Sequence, residues 1–283
     1  MRTISNAAVS RRGVVKGTLA AFGLLALGGL SACNRATTRD ANSLRVGASA
    51  APHAEILNKF AKPKLKEKGI DLVVKEYTDY IHPNRDTTSG DIDANYFQHV
   101  QYLENYNKEN KTDLVNAGAI HYEPIAIYAG KSADLAEISD GAKIALPSDP
   151  TNEGRALLLL QEQKLIELKD PTNLEATTKD IASNPHKIEF QELEAAAIPR
   201  ALESVDFAII NGNFALQADL HVKDAIAFES PDSEAVKQYA NIIATTSEKK
   251  DDKNIGALVK ALQSDDFKAY LKDTYGEDVQ PAF

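Results

Sequence analysis

The chain has 283 residues, with 32 Lys and Arg against 41 Asp and Glu and a formal net charge of −9. Such an acidic chain is not expected to bind nucleic acid, because neutralising a phosphate backbone requires clustered Lys and Arg. A single cysteine excludes an internal disulfide. The length is sufficient for one large domain or for two lobes.

The first 32 residues are predicted to be an export signal. They contain four basic residues and no acidic one, and Thr18 to Leu30 is an apolar run of 13 residues. A membrane span needs about 20 apolar residues, so this run is too short to remain as one. The stretch "SRRGVVK" resembles a twin-arginine export signal, and "LSAC", which ends at Cys33, resembles the lipobox of bacterial lipoproteins. We therefore expect a lipid on Cys33 and a polar tether over 33–43.

Strands and helices alternate along the rest of the chain. The pattern predicts strands over 44–48 and 70–77, with a helix between them that ends at Gly69. Further along, it predicts a strand over 142–149, a helix over 152–166, a strand over 204–212, a strand over 241–246 and one or two helices over 255–275. The late strand and helices follow a complete second α/β unit and indicate a return to the first. We expect an α/β protein with two lobes and a ligand cleft between them.

The run "ANYFQHVQYLENY", residues 94–106, is unusually rich in aromatic residues. Helical spacing places Tyr96 with Val100 and Leu103 on one face, which predicts a core face. The same spacing places His99 with Tyr102 on a neighbouring face, which either packs at an interface or lines a binding site.

Arg155 is predicted to lie near the beginning of a helix, because Asp149 and Pro150 resemble an N-cap followed by proline in the first helical position. The helix macrodipole disfavours a cation there, so Arg155 should meet an anion. That anion is either a bound carboxylate or one of the nearby acidic residues, Asp149 or Glu153.

Two asparagines are candidate ligand-binding residues, and Asn211 lies at the carboxyl end of a strand, where open α/β sheets bind ligands. Asn211 directly follows an apolar strand and also forms an Asn-Gly turn signal, while Asn241 begins the strand over 241–246. Either amide could accept from an ammonium group or donate to a carboxylate.

The sequence contains no pattern that predicts catalysis or a metal. His53, His82, His99 and His121 are spaced by 29, 17 and 22 residues, which matches no compact ligand motif. We expect isolated hydrogen-bonding histidines, no metal, no cofactor and no enzymatic activity.

Several segments together resemble one family, the methionine-binding lipoproteins of ABC importers (NlpA/MetQ-type substrate-binding proteins). They include "RVGASAAPHAEIL", "GDIDANYFQHVQYLENYNKE", "PSDPTNEGRALLLL", "DFAIINGNFAL" and "YANII", and the resemblance runs from Leu44 to Phe283. It implies the two-lobed periplasmic-binding-protein fold of type II, with lobe 1 formed by 44–125 and 240–283 and lobe 2 by 126–239.

The resemblance also implies the residues of a pocket. Arg155, with Asn152 beside it, would pair with the ligand carboxylate, and Asn211 and Asn241 would hold the amino-acid backbone. The side chain would be enclosed by Tyr80, Phe97, His99, Tyr102 and His121. The implied ligand is L-methionine or a close analogue, and the implied partners are an ABC permease and its ATPase subunit, at the extracytoplasmic face of the cell membrane.

Other functions stay open at this point. The same fold could bind methionine sulfoxide, D-methionine or a small peptide. A metal-binding lipoprotein and a surface-interaction lipoprotein are the two remaining alternatives.

Overall fold

The computed structural model describes residues 41–230 and 238–283. The predicted signal segment (1–32), Cys33 and most of the predicted tether therefore lie outside the described residues. Within the described ranges, no helix is both long enough and apolar enough to cross a membrane.

The strands are short and distributed over three sheets. In chain order they are β1 (Ser43–Ser49), β2 (Asp71–Tyr77), β3 (Ala94–His99), β4 (Leu114–Tyr122), β5 (Ala126–Ala129), β6 (Lys143–Pro147), β7 (Glu167–Leu168), β8 (Ile181–Ser183), β9 (Glu189–Leu193), β10 (Phe207–Ile210), β11 (Ala227–Phe228), β12 (Asn241–Thr246) and β13 (Gln280–Pro281). The strands predicted over 44–48, 70–77, 142–149, 204–212 and 241–246 are confirmed as β1, β2, β6, β10 and β12.

Helices alternate with these strands. They are α1 (Lys62–Lys66), α2 (His82–Ser89), α3 (Val100–Asn110), α4 (Pro150–Glu162), α5 (Ile198–Ala201), α6 (Gly212–Gln217), α7 (Lys253–Leu262) and α8 (Asp265–Tyr275). Irregular wide turns over Ala50–Ala54 and Leu57–Ala61 precede α1. Gly69 has a φ of +76°, a left-handed conformation that favours glycine, and so ends this helical segment as predicted.

A six-stranded mixed sheet has the order β13-β4-β12-β3-β1-β2. β1 is parallel to both β2 and β3. β12 comes from the end of the chain and inserts antiparallel between β3 and β4, with Asn241 opposite both His99 and His121. The return of the chain to its first sheet brings Asn241 to the edge where β3 ends.

A five-stranded sheet has the order β11-β5-β10-β6-β9. β6 is parallel to β9 and β10, so the carboxyl ends of β6 and β10 lie at the same edge. The segment after β6 leads into α4, and the segment after β10 leads into α6. The chain passes between the two large sheets twice, once between β4 and β5 and once between β11 and β12.

Each of these two sheets has its own hydrophobic core. The first packs residues such as Val46, Tyr96 and Ile243 against Leu258 of α7. The second packs residues of β5, β6 and β10 against Leu157 of α4. Burying one Leu or Ile side chain stabilises the fold by about 1.5–3 kcal/mol, so both cores contribute to the stability of the fold.

The helical conformation predicted for Tyr96 and His99 is wrong. Residues 94–99 form β3, and α3 begins only at Val100. Tyr96 is in the core, as predicted, but it reaches the core as a strand residue. Pairing of β3 with β1 and β12 outweighs the local helical spacing. His99 is the last residue of β3 and the N-cap of α3.

Candidate functional site

A cavity lies at the edge where these strands end. Its walls come from the loop after β2, the end of β3, the start of β12, the segment after β4, the first two turns of α4 and the segment after β10. The lining residues are Tyr80, Phe97, Gln98, His99, Tyr102, Glu123, Asn152, Arg155, Asn211, Gly212, Asn213 and Asn241. Parallel-rich α/β sheets bind ligands at such an edge, outside the carboxyl ends of their strands.

Eight of the nine residues expected in the pocket line this cavity. His121 does not; it is fully buried behind the wall, where it contacts Glu123 and Tyr96. The expected contact of His121 with the ligand side chain stays a prediction, since the structure places this residue behind Glu123 and not at the cavity surface. Sequence reasoning missed Gln98, Glu123, Gly212 and Asn213. Each adjoins a residue or motif already singled out, so extending those motifs by one or two positions would have found them.

Arg155 lies in the second turn of α4, whose N-cap is Asp149 as predicted. Its anion is neither Asp149 nor Glu153. The guanidinium donates to Glu229 from Nε at 3.1 Å and from Nη2 at 2.5 Å, and Nη2 also donates to the backbone oxygen of Glu123 at 2.8 Å. Arg155 and Glu229 are only 4% and 7% exposed. The anion that Arg155 meets is therefore Glu229, which lies 74 positions away in the sequence.

The remaining nitrogen of Arg155 is available to a ligand. Nη1 makes no hydrogen bond with any described residue, although Arg155 lines the cavity. The Tyr239 ring lies 4.3 Å from the guanidinium carbon. Burial is the largest single influence and works against the cation, but Glu229 together with Tyr122 and Tyr239 outweighs it and raises the pKa of Arg155. Arg155 is thus a permanent, pre-oriented cation whose Nη1 has no hydrogen-bond partner in the described part of the chain.

A chain of hydrogen bonds fixes the orientation of two amides. Asp149 can only accept as a carboxylate, and Asn152 Nδ2 donates to it at 2.9 Å. Asn152 Oδ1 is therefore an acceptor, and it accepts from Asn211 Nδ2 at 2.8 Å. Asn211 Oδ1 remains buried, without a hydrogen-bond partner among the described residues. Asn211 consequently presents an acceptor to the cavity.

His99 joins the same chain. Its Nδ1 accepts from the backbone N–H of Tyr102 at 3.1 Å, so its proton is on Nε2, which donates to Asn152 Oδ1 at 3.3 Å. Burial, and after it the charge of Arg155, lowers the pKa of His99 to about 3. His99 is therefore a neutral N-cap of α3 that also bonds to α4.

A second buried network orients Asn241. Tyr96 donates its hydroxyl proton to His121 Nδ1, and His121 Nε2 donates to Glu123 Oε1 at 2.5 Å. His53 Nε2 lies 3.4 Å from the same carboxylate oxygen and 3.0 Å from Asn241 Oδ1. A proton on His53 Nε2 can be shared between Glu123 Oε1 and Asn241 Oδ1, which are both acceptors. Asn241 Nδ2 is then the group that faces the cavity. Asn211 and Asn241 thus have opposite polarity.

Burial keeps the histidines of this network neutral. It lowers the pKa of His53 to about 4, against the opposing effect of Glu123, and the pKa of His121 to about 3. Burial also raises the pKa of Glu123.

An aromatic cluster covers the other side of the cavity. The Tyr80 ring is 5.7 Å from both Phe97 and Tyr102, and 4.9 Å from Phe214. Tyr102 donates its hydroxyl proton to the backbone oxygen of Tyr80 at 3.2 Å. The pocket therefore combines an apolar aromatic wall with fixed donors and acceptors.

One group of described residues has ligand atoms close enough together to suggest a metal. Atoms of His53, His121 and Glu123 lie within 4.8 Å of one another, so these two histidines are not isolated, contrary to expectation. Ligand atoms around a tetrahedral zinc with bonds near 2.0–2.1 Å lie about 3.3 Å apart. His121 Nε2 and Glu123 Oε1 are only 2.5 Å apart, which is a hydrogen bond. In this geometry the three side chains form a hydrogen-bonded network.

The neutral His99 has a testable effect on stability. Its folded pKa of about 3 lies below the ordinary value near 6.5, so the unfolded chain takes up the proton first as the pH falls. Stability is unaffected above about pH 6.5 and declines below it by about 1.4 kcal/mol per unit for this residue. His99→Asn retains a capping acceptor and does not titrate. Between pH 6.5 and 5, urea unfolding of this variant should lose about 2 kcal/mol less than the wild type. Equal pH dependence of the two proteins would contradict the assignment.

The fold and the cavity define a two-lobed binding protein of the periplasmic type, with an α/β lobe around each large sheet. A family model described as NlpA lipoprotein matches residues 44–283. The chain belongs to this family.

Individual relatives support the same assignment. The methionine-binding lipoprotein MetQ of Bacillus subtilis is 40% identical over 271 residues, which cover 93% of this chain and 97% of the relative. The D-methionine-binding lipoprotein MetQ of Escherichia coli is 40% identical over 234 residues, covering 81% and 84%. A nutrient binding protein from Burkholderia cenocepacia, solved bound to methionine, is 42% identical with a TM-score of 0.80, covering 85% of this chain and all of that one.

Proposed function

We propose that this chain is an extracytoplasmic binding protein, and not an enzyme, that captures methionine and delivers it to an ABC permease with its ATPase subunit. Lobe 1 would comprise 44–125 and 240–283, and lobe 2 would comprise 126–239. The observation that carries the proposal is a cavity with an aromatic wall, a buried arginine and two amides of opposite polarity. The relatives named for methionine support the choice of ligand.

The polar groups of the cavity suit a zwitterion. Arg155 Nη1 and Asn241 Nδ2 are donors and would bind the carboxylate. Asn211 Oδ1 and the Glu123 carboxylate are acceptors and would bind the α-ammonium group. In a cavity shielded from water these interactions are stronger than at the surface. Both ends of a free amino acid would be satisfied.

The aromatic wall suits a thioether. Contacts between sulfur and aromatic rings contribute about 0.3–1.5 kcal/mol each, and Tyr80, Phe97 and Tyr102 offer three rings. These rings do not distinguish L-methionine from D-methionine or a derivative.

The proposal includes a lipid anchor. The export signal over 1–32 would be removed, Cys33 would carry the lipid, and 33–43 would tether the domain to the cell membrane. This arrangement agrees with relatives that are named lipoproteins. It keeps the cavity close to the permease that would receive the ligand.

Native mass spectrometry of the purified domain, residues 44–283, should detect a bound ligand with the mass of methionine. After unfolding, refolding and dialysis, calorimetry should show binding of L-methionine or D-methionine, and the melting temperature should rise with ligand concentration. Methionine sulfoxide and a methionine-containing dipeptide are the comparison ligands. Absence of a co-purified small molecule, together with no thermal shift by either methionine enantiomer, would refute the proposed function.

A further inference from the structure

Two buried polar atoms of the cavity wall lack hydrogen-bond partners among the described residues. They are Oδ1 of Asn211, the N-cap of α6, and Nδ2 of Asn213, in the first turn of α6. Buried polar groups in native proteins are almost always hydrogen-bonded, and leaving one unsatisfied is costly. One orphan atom is an acceptor and the other a donor, so a ligand that satisfies both must carry complementary groups.

The orientation of Asn213 follows from Tyr80. The Tyr80 hydroxyl donates to Asn213 Oδ1 at 2.5 Å. Among the described residues, the hydroxyl makes no other hydrogen bond. Because a buried hydroxyl proton requires an acceptor, the amide oxygen faces Tyr80 and the amide nitrogen remains for the cavity. Asn213 is 2% exposed, so bulk water does not satisfy this nitrogen.

The partner of Asn213 Nδ2 must be an acceptor on the ligand. A free amino acid with a thioether side chain offers two strong acceptors, the carboxylate oxygens, and one weak acceptor, the sulfur. A carboxylate has about four lone-pair sites. It can therefore accept from Asn213 as well as from Arg155 Nη1 and Asn241 Nδ2.

We propose that Asn213 is a further ligand-binding residue, which donates from Nδ2 to the carboxylate of a free amino acid while Asn211 Oδ1 accepts from its ammonium group. The start of α6, from its N-cap Asn211 to Asn213, then recognises both ends of the amino-acid backbone. Tyr80 is the positioning residue that holds the Asn213 amide in this orientation. This inference rests on the proposed function and adds the requirement that the ligand carboxylate be free and ionised.

Asn213→Ala and Asn213→Asp test whether Asn213 donates a hydrogen bond to the ligand carboxylate. Loss of a hydrogen bond to a charged group should weaken methionine binding by about tenfold or more in Asn213→Ala. Asn213→Asp keeps the acceptor for Tyr80 but replaces the donor with an anion facing the ligand carboxylate. Its affinity should therefore fall further than that of Asn213→Ala. Asn116→Ala, at an exposed position of β4, is the matched control and should bind like the wild type.

Calorimetry with L-methionine measures the affinities, and thermal unfolding without ligand checks that each variant is folded. Wild-type affinity in Asn213→Ala would overturn the inference while leaving the proposed function intact. Affinity in Asn213→Asp equal to or above that of the wild type would overturn the donor assignment. If the wild type itself binds no amino acid, both the proposed function and this inference fail.

Discussion

Arg155→Ala should lower the free energy of unfolding by about 3–5 kcal/mol, because it leaves the buried Glu229 carboxylate without its counter-charge. The same change should weaken methionine binding by at least about 2 kcal/mol, since it removes the cation that would meet the ligand carboxylate. Urea denaturation measures the first effect and calorimetry the second. Near-wild-type values in both measurements would contradict the buried pair and its proposed role.

A double variant separates the two effects. Arg155→Met combined with Glu229→Gln removes both charges and keeps an acceptor for the Tyr122 hydroxyl, which donates to Glu229. Replacing both partners of a buried ion pair is far less costly than removing one. We expect the double variant to regain most of the lost stability but not the affinity. Recovery of affinity would show that Arg155 acts through the fold and not through the ligand.

Asn241→Ala should weaken methionine binding by at least about 2 kcal/mol, the scale for losing a buried hydrogen bond to a charged group. The orientation imposed by His53 makes a second variant informative, because Asn241→Asp keeps the acceptor for His53 Nε2. Asn241→Asp places an anion where the donor was, so calorimetry should show a larger loss than for Asn241→Ala.

The aspartate variant tests the polarity of the site directly. If Asn241 accepted from the ligand ammonium instead, Asn241→Asp would retain or improve the affinity. Melting temperatures of the two variants without ligand provide the control. They should fall by similar amounts if the binding loss comes from the lost donor.

Local signals predicted much of the fold. Asp149 followed by Pro150 located the beginning of α4, and the β-branched run "NIIATT" located β12 at Asn241–Thr246. Residues 96–99 were predicted to share a helix with the residues that follow, because their spacing fits one. Only the pairing of β3 with β1 and β12 makes them a strand, and strand pairing between distant segments leaves no local pattern.

The candidate site was also predicted only in part, because its side chains are held by residues distant in the sequence. The resemblance pointed to the side chains of the cavity, but it did not reveal what holds them. Glu229 is 74 residues from Arg155, and His53 is 188 residues from Asn241. The donor or acceptor role of an asparagine depends on such partners, and so the polarity of Asn211 and Asn241 became clear only in three dimensions.

Two hydrogen bonds span the cavity from one sheet to the other. His99, at the end of β3, bonds to Asn152 of α4, and Tyr80, after β2, bonds to Asn213, after β10. In the proposed function, a molecule bound between them would leave by a separation of the two sheets that breaks both bonds. Release would then be timed by an opening motion of the protein and not by diffusion out of an open groove. In the proposed function, the binding protein would therefore keep its ligand until contact with the permease separates the two sheets.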